Sequence, residues 1–143
     1  DKLTTGGFNR RFQPVKTGCE WITSDEEIAA SYGRDPLRCF RFTVNAYDNM
    51  FVSIGEAQSA RRMKGIPKSL PLLLISGECD PVGGFGKGVR AAYARYRAAG
   101  LQQVRCLLYP GCRHELLNEV DRETVYADLL DWMNAHMAAG QNG

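Results

Sequence analysis

No run of apolar residues in this chain approaches the roughly 20 that a membrane-crossing helix needs, and the first residues lack the apolar core of a signal peptide. The sequence therefore predicts a soluble protein without a transmembrane segment. Charge of one sign is equally scarce, with 18 Lys and Arg against 16 Asp and Glu for a net charge of +2. Backbone binding to nucleic acid wants a clustered basic face. The short clusters here, Arg10-Arg11 and Arg61-Arg62 with Lys64, read as solvated faces, so no nucleic-acid partner is expected. No repeat or low-complexity stretch appears, and 143 residues suit one domain with a core of its own.

Paired cysteine spacing is also missing. Cys19, Cys39, Cys79, Cys106 and Cys112 form an odd set, which favours reduced thiols and a cytoplasmic setting. Cys112 and His114 are two apart, but structural zinc sites usually show two close ligand pairs, so no metal is expected. Cys79 and Cys106 sit in or beside predicted strands, where small buried thiols are ordinary core residues.

Two unlike halves are present. Residues 1–66 read as an opening loop followed by helices. Ser24-Asp25-Glu26-Glu27 has the form of a capping box, with Gly33 as a stop. A longer helix is predicted from about Val44 to Lys64, since Val44, Tyr47, Phe51 and Ile54 recur on one face and Gly65 with Pro67 ends it. From residue 70 the pattern becomes strand, loop, helix, strand, loop, helix. Leu72 to Ile75 is a continuous apolar run of the kind buried on both faces of a parallel sheet. Gly86 to Ala99 reads as a helix with Val89, Tyr93 and Tyr96 on one side, and Val104 to Tyr109 as the second strand. A last helix near Asp121 to Ala138 should carry Val125, Leu129, Trp132 and Met133 inward. This is an α/β arrangement with parallel strands joined by a crossover.

Functional groups in open parallel sheets gather beyond the carboxyl ends of the strands. Asp80 lies in the loop leaving the first strand and His114 in the loop leaving the second. Adjacent strands run about 4.8 Å apart, so the two side chains can meet. A carboxylate on one imidazole nitrogen fixes the tautomer and leaves the other nitrogen free to act as a base. Glu78, Glu115 and Glu119 are rivals for the acid role, while His136, near the end of the last helix, reads as a cation favourable there or an exposed ring. The run Gly86-x-Gly88-x-x-Ala91 formally matches a dinucleotide fingerprint. It begins about ten residues after the strand ends, whereas the fingerprint wants its first glycine in the turn directly after the strand. Nor does Gly86-Lys87-Gly88 make a phosphate loop, because no Ser or Thr follows the lysine and Pro81 stands where a glycine is needed. The glycines instead let the loop pass close to Asp80 and open the next helix, and no cofactor is called for.

The stretches PLLLISGECDPVGGFGKGV, LYPGCRHELLNE and VYADLLDWMN resemble the C-terminal half of the α/β-hydrolase fold, in the serine aminopeptidase-like group that includes monoacylglycerol lipases and lysophospholipases. NRRFQPVKTGCEWITSDEEIAASYGRDPLRCF is similar to that group's cap segment. The resemblance implies a helical cap or lid over residues 1–66 and the C-terminal part of the hydrolase core over residues 67–143. It makes Asp80 the triad acid and His114 the triad base, in the chain order Ser, Asp, His. The group's nucleophile sits in G-x-S-x-G before the cap. Ser24, Ser31, Ser53, Ser59, Ser69 and Ser76 all lack those flanking glycines, so the nucleophile and the N-terminal half of the fold are expected to lie outside this chain.

The resemblance also implies a carboxylic ester or related acyl substrate, with a peptidase of the same fold as an alternative. Several of Phe8, Phe12, Trp21, Tyr32, Phe40, Phe42, Tyr47 and Phe51 are then candidates to line an acyl pocket, or equally to pack the cap's own core. Independently, two apolar strands alone leave open sheet edges. The chain is expected to need the absent N-terminal half, or a second copy of itself, as a partner. A noncatalytic interaction module built on that edge is the remaining alternative.

Overall fold

The computed structural model describes residues 6–38 and 42–137; Cys39, Phe40 and the end of the last predicted helix at Ala138 lie outside them. Among the described residues five α-helices and two strands follow in chain order: α1 (Glu26–Arg34), α2 (Val44–Ala57), α3 (Ala60–Lys64), β1 (Leu72–Gly77), α4 (Lys87–Ala98), β2 (Val104–Tyr109) and α5 (Arg122–Met137). The strands pair in parallel, with Leu72 opposite Val104 and Gly77 opposite Tyr109. Alternation along the strands divides the sheet's two faces between helices. Ile75 and Leu107 pack with Leu129 against a core of Tyr109, Cys112, Leu116 and Val125, while Leu108 faces Gly86 at the start of α4.

Three local expectations change. The helix foreseen over 44–64 is two helices, because the chain turns extended at Ser59. Gln58 and Ser59 close α2 through bonds to Ile54 O and Glu56 O, and Met63 N donates to Ser59 O to begin α3. Arg95 of α4 donates to the Gln58 carbonyl and holds the break in place. At α1 the cap is Asp25 alone, whose Oδ1 accepts from Glu27 N at 3.0 Å and Ile28 N at 3.1 Å. The Ser24 hydroxyl is drawn away to Glu119. Gly33 is inside the helix, which ends at Arg34 because Asp35 must be extended before Pro36.

Burial differs too. Val125 is fully buried and Leu129 partly so, but Met133 is 49% exposed. Trp132 instead packs on His136 at 4.4 Å, and His136 Nδ1 lies 2.7 Å from Trp132 O. Leu72 to Ile75 are half-buried rather than covered on both faces, since the described sheet has only two strands. On α2, Val44, Phe51 and Ile54 are exposed, so the periodic face has no core to meet among the described residues.

Candidate active site

The site begins with a contact too close for a side chain. A Cβ on Gly77, the last residue of β1, would lie 2.2 Å from the carbonyl oxygens of both Cys112 and Arg113. Glycine thus lets the loop after β2 press against the end of β1, where Cys79 N donates to Cys112 O at 2.9 Å. On the other side Gly83 brings its loop near Asp80, its virtual Cβ being 3.4 Å from Asp80 Oδ2. Gly86, with φ +80°, takes the left-handed turn that opens α4.

Between these close approaches Asp80 and His114 meet. Asp80 Oδ2 lies 3.2 Å from His114 Nδ1, and Asp80 Oδ1 accepts from Val82 N at 2.8 Å. The Asp80 side chain is 9% exposed and that of His114 37%. Burial pushes the Asp80 carboxyl up, but hydrogen bonds from His114 and the backbone at Val82 and Gly83, with the attraction of His114, bring it below its ordinary value. The hydrogen bond to Asp80 raises the His114 imidazole above its ordinary value. Burial works against that rise, and the negative charges of Asp80 and Glu115 add to it. Nε2 has no hydrogen bond to any described residue. Beside the ring runs a groove of about 330 Å³ lined by Ile75, Glu115, Leu116, Leu117 and Asn118.

The rival acids stand elsewhere. Glu78 pairs with Arg90 at 3.3 Å, and Glu115 accepts from Asn118 Nδ2 at 2.7 Å. Glu119 is fully buried and receives Arg113 N at 2.6 Å and Ser24 N at 3.0 Å. It is an anchor between distant segments, a role the sequence reading missed.

The N-terminal segment is bound to the His114 loop along its length. Glu115 N donates to Ile22 O at 2.8 Å and Thr23 Oγ1 to Asn118 O at 2.7 Å. Arg113 donates to Glu20 O and Thr23 O while stacking over Phe12. Trp21 packs on the His114 ring at 5.1 Å and on Phe8 at 5.0 Å.

The other aromatics fall into separate groups. Tyr32 lies under Arg38, and Phe42, Tyr47 and Phe51 cluster at α2. Of the foreseen pocket aromatics among the described residues, Trp21 is the one whose ring packs on His114. Among the described residues no three His, Cys, Asp or Glu side chains come close enough to hold a metal, and no helix is long and apolar enough to cross a membrane. The glycine run follows a loop rather than β1 itself, unlike a dinucleotide turn.

Comparison with known proteins gives the family and the fold. A family model described as serine aminopeptidase, S33, matches residues 4–121. A monoacylglycerol lipase from Mycolicibacterium smegmatis is 25% identical over 119 residues, which are 81% of this chain and 39% of that protein. A highly thermostable carboxyl esterase from Bacillus coagulans, solved in complex with glycerol, superposes with a TM-score of 0.78 at 28% identity, covering 94% of this chain and 44% of the esterase. A lipase in an open form gives 0.79 at 28% identity over the same shares. A soluble variant of the monoglyceride lipase of Saccharomyces cerevisiae gives 0.61 at 23% identity, covering 90% of this chain and 46% of that one, a likeness of fold. The chain thus spans less than half the length of each of these relatives.

Proposed function

The chain belongs to the serine aminopeptidase S33 family of α/β-hydrolases, and on that premise we propose that it carries the acid and base of a serine hydrolase acting on carboxylic esters, lysophospholipase- or monoacylglycerol lipase-like. The observation that carries this reading is the 3.2 Å approach of Asp80 and His114 from the loops beyond neighbouring parallel strands, with Nε2 bonded to no described residue. Residues 1–66 are the cap segment and residues 67–143 the C-terminal part of the core. The serine comes from outside these 143 residues. Its hydroxyl loses a proton to His114 Nε2 as the oxygen bonds to the acyl carbonyl carbon. Asp80 holds Nδ1–H and stabilises the imidazolium. When the carbon–oxygen bond to the alcohol breaks, His114 gives that proton to the leaving oxygen. Water, deprotonated by the same nitrogen, then releases the acid and restores the serine.

The relatives' names support an ester substrate, and the groove beside His114 can admit one. A peptidase of the same fold shares every step but the leaving group. The odd cysteine count supports a cytoplasmic setting. The test is a panel of nitrophenyl esters and aminoacyl anilides offered to the full-length protein and its His114→Ala variant. Ester turnover lost in the variant is expected. Anilide turnover alone would move the assignment to a peptidase, and equal rates in both proteins would remove His114 from the reaction.

A further inference from the structure

Glu119 is an acid with no exposed surface, among the largest fully buried side chains of the protein. Burying a carboxylate is costly unless its oxygens are satisfied, and here both are. Oε1 accepts from Arg113 N at 2.6 Å and Ser24 N at 3.1 Å. Oε2 accepts from Ser24 N at 3.0 Å, from the Ser24 hydroxyl and from Val120 N at 3.4 Å. Every donor is a backbone amide or a hydroxyl, and none is a cationic side chain.

The placement of those donors is what matters. Arg113 immediately precedes His114, and Glu115 N, on the residue that follows His114, is taken by Ile22 O at 2.8 Å. The amides of the two residues that flank His114 are therefore tied to one strip of the N-terminal segment, residues 22–24, and Glu119 is the tie at the preceding residue. The Asp80–His114 bond is already 3.2 Å long, at the far end of the normal range. A small movement of the His114 backbone would break it.

We propose that Glu119 is a positioning residue for His114, gathering Arg113 N and Ser24 onto one buried carboxylate so that the imidazole stays in reach of Asp80. The inference rests on the reading of His114 as the general base. It differs from a purely structural role in what it predicts for titration. Glu119→Gln keeps the shape but turns one acceptor oxygen into a donor facing amides that also donate. The loop must then shift, and the hydrogen bond that holds the imidazole above its ordinary value weakens.

The experiment is the pH profile of ester hydrolysis by the full-length protein, with nitrophenyl butyrate as probe. Glu119→Gln should lower kcat at least about tenfold with KM held within about twofold, and move the acid limb of kcat/KM to lower pH. A loss by one factor at every pH, matching the folded fraction, would overturn the positioning role. If Glu119→Gln does not fold, Glu119→Asp keeps both acceptors on a shorter stem. It should lower kcat less while moving the limb the same way, and an unmoved limb overturns the inference. His114-dependent turnover with Glu119→Gln equal to the unaltered protein throughout defeats this proposal alone, whereas turnover indifferent to His114→Ala defeats the reading beneath it.

Discussion

Replacing Gly77 with alanine should do more harm than the loss of a hydrogen suggests. The new methyl would sit 2.2 Å from two carbonyl oxygens and 2.4 Å from the Cys112 carbonyl carbon. These are backbone atoms that cannot rotate away. Non-bonded contacts settle well above 3 Å, so the loop has to retreat by roughly 1 Å. Two bonds cross that gap, Cys79 N to Cys112 O at 2.9 Å and Asp80 Oδ2 to His114 Nδ1 at 3.2 Å. Stretched to about 4 Å, neither survives. Overpacking costs about 1–3 kcal/mol and each lost bond about 1 kcal/mol, for a total of about 3–5 kcal/mol. That is a large share of the about 5–15 kcal/mol that holds a domain folded. Urea unfolding of the full-length protein should show the midpoint falling at an unchanged slope, and ester turnover should fall by about 100-fold, because His114, the proposed base, is displaced by roughly 1 Å. A midpoint equivalent to less than about 0.5 kcal/mol of change, with turnover intact, would refute the argument that this contact sets the site.

Further outcomes follow from the same geometry. His114 is raised, so its part of the pair's stability is fully present below the ordinary histidine value of 6.5 and lost as pH rises through the folded value. Asp80 is lowered, so its part is present above its ordinary 3.8 and lost as pH falls through the folded value. The stability difference between the unaltered protein and Asp80→Asn should therefore be largest between those ordinary values, and a difference that peaks in alkali would contradict the pairing. Trp21 touches the His114 ring, so its fluorescence in a Trp132→Phe background should titrate with the imidazole, with a midpoint above 6.5; a flat trace would separate the two rings. Cys112 is buried, and burial first, then the charges of Glu119 and Asp121, push its thiol up. It should resist iodoacetamide in the folded protein and react on unfolding, and ready alkylation of the native state would mean the core around Tyr109 opens.

What could be read from the sequence was whatever depends on near neighbours in the chain. The apolar runs at 72–75 and 104–109 announced parallel strands, and parallel strands place the following loops on one edge, so the meeting of Asp80 and His114 followed without coordinates. What escaped depends on partners far along the chain. Ser24 looks like a helix cap until Glu119, 95 residues away, takes its hydroxyl. The break at Ser59 carries a weak local signal and is held by Arg95. Trp21 could be named as an aromatic of the N-terminal segment but not as the ring against His114, because that contact is made by the segment folding back across the loop. For Glu119 a faint sign was available, an acid between Leu117 and Val120 at a helix approach, but the residue pattern offered it only as a rival for the acid role.

The claim that Asp80 and His114 serve a serine nucleophile is tested most directly by treating the full-length protein with a fluorophosphonate, which modifies activated serines, and locating the label by mass. One labelled serine outside these 143 residues, lost in His114→Ala while that variant still unfolds cooperatively, is the predicted result. Label that persists in His114→Ala, or that falls on a serine within this chain, would contradict the account.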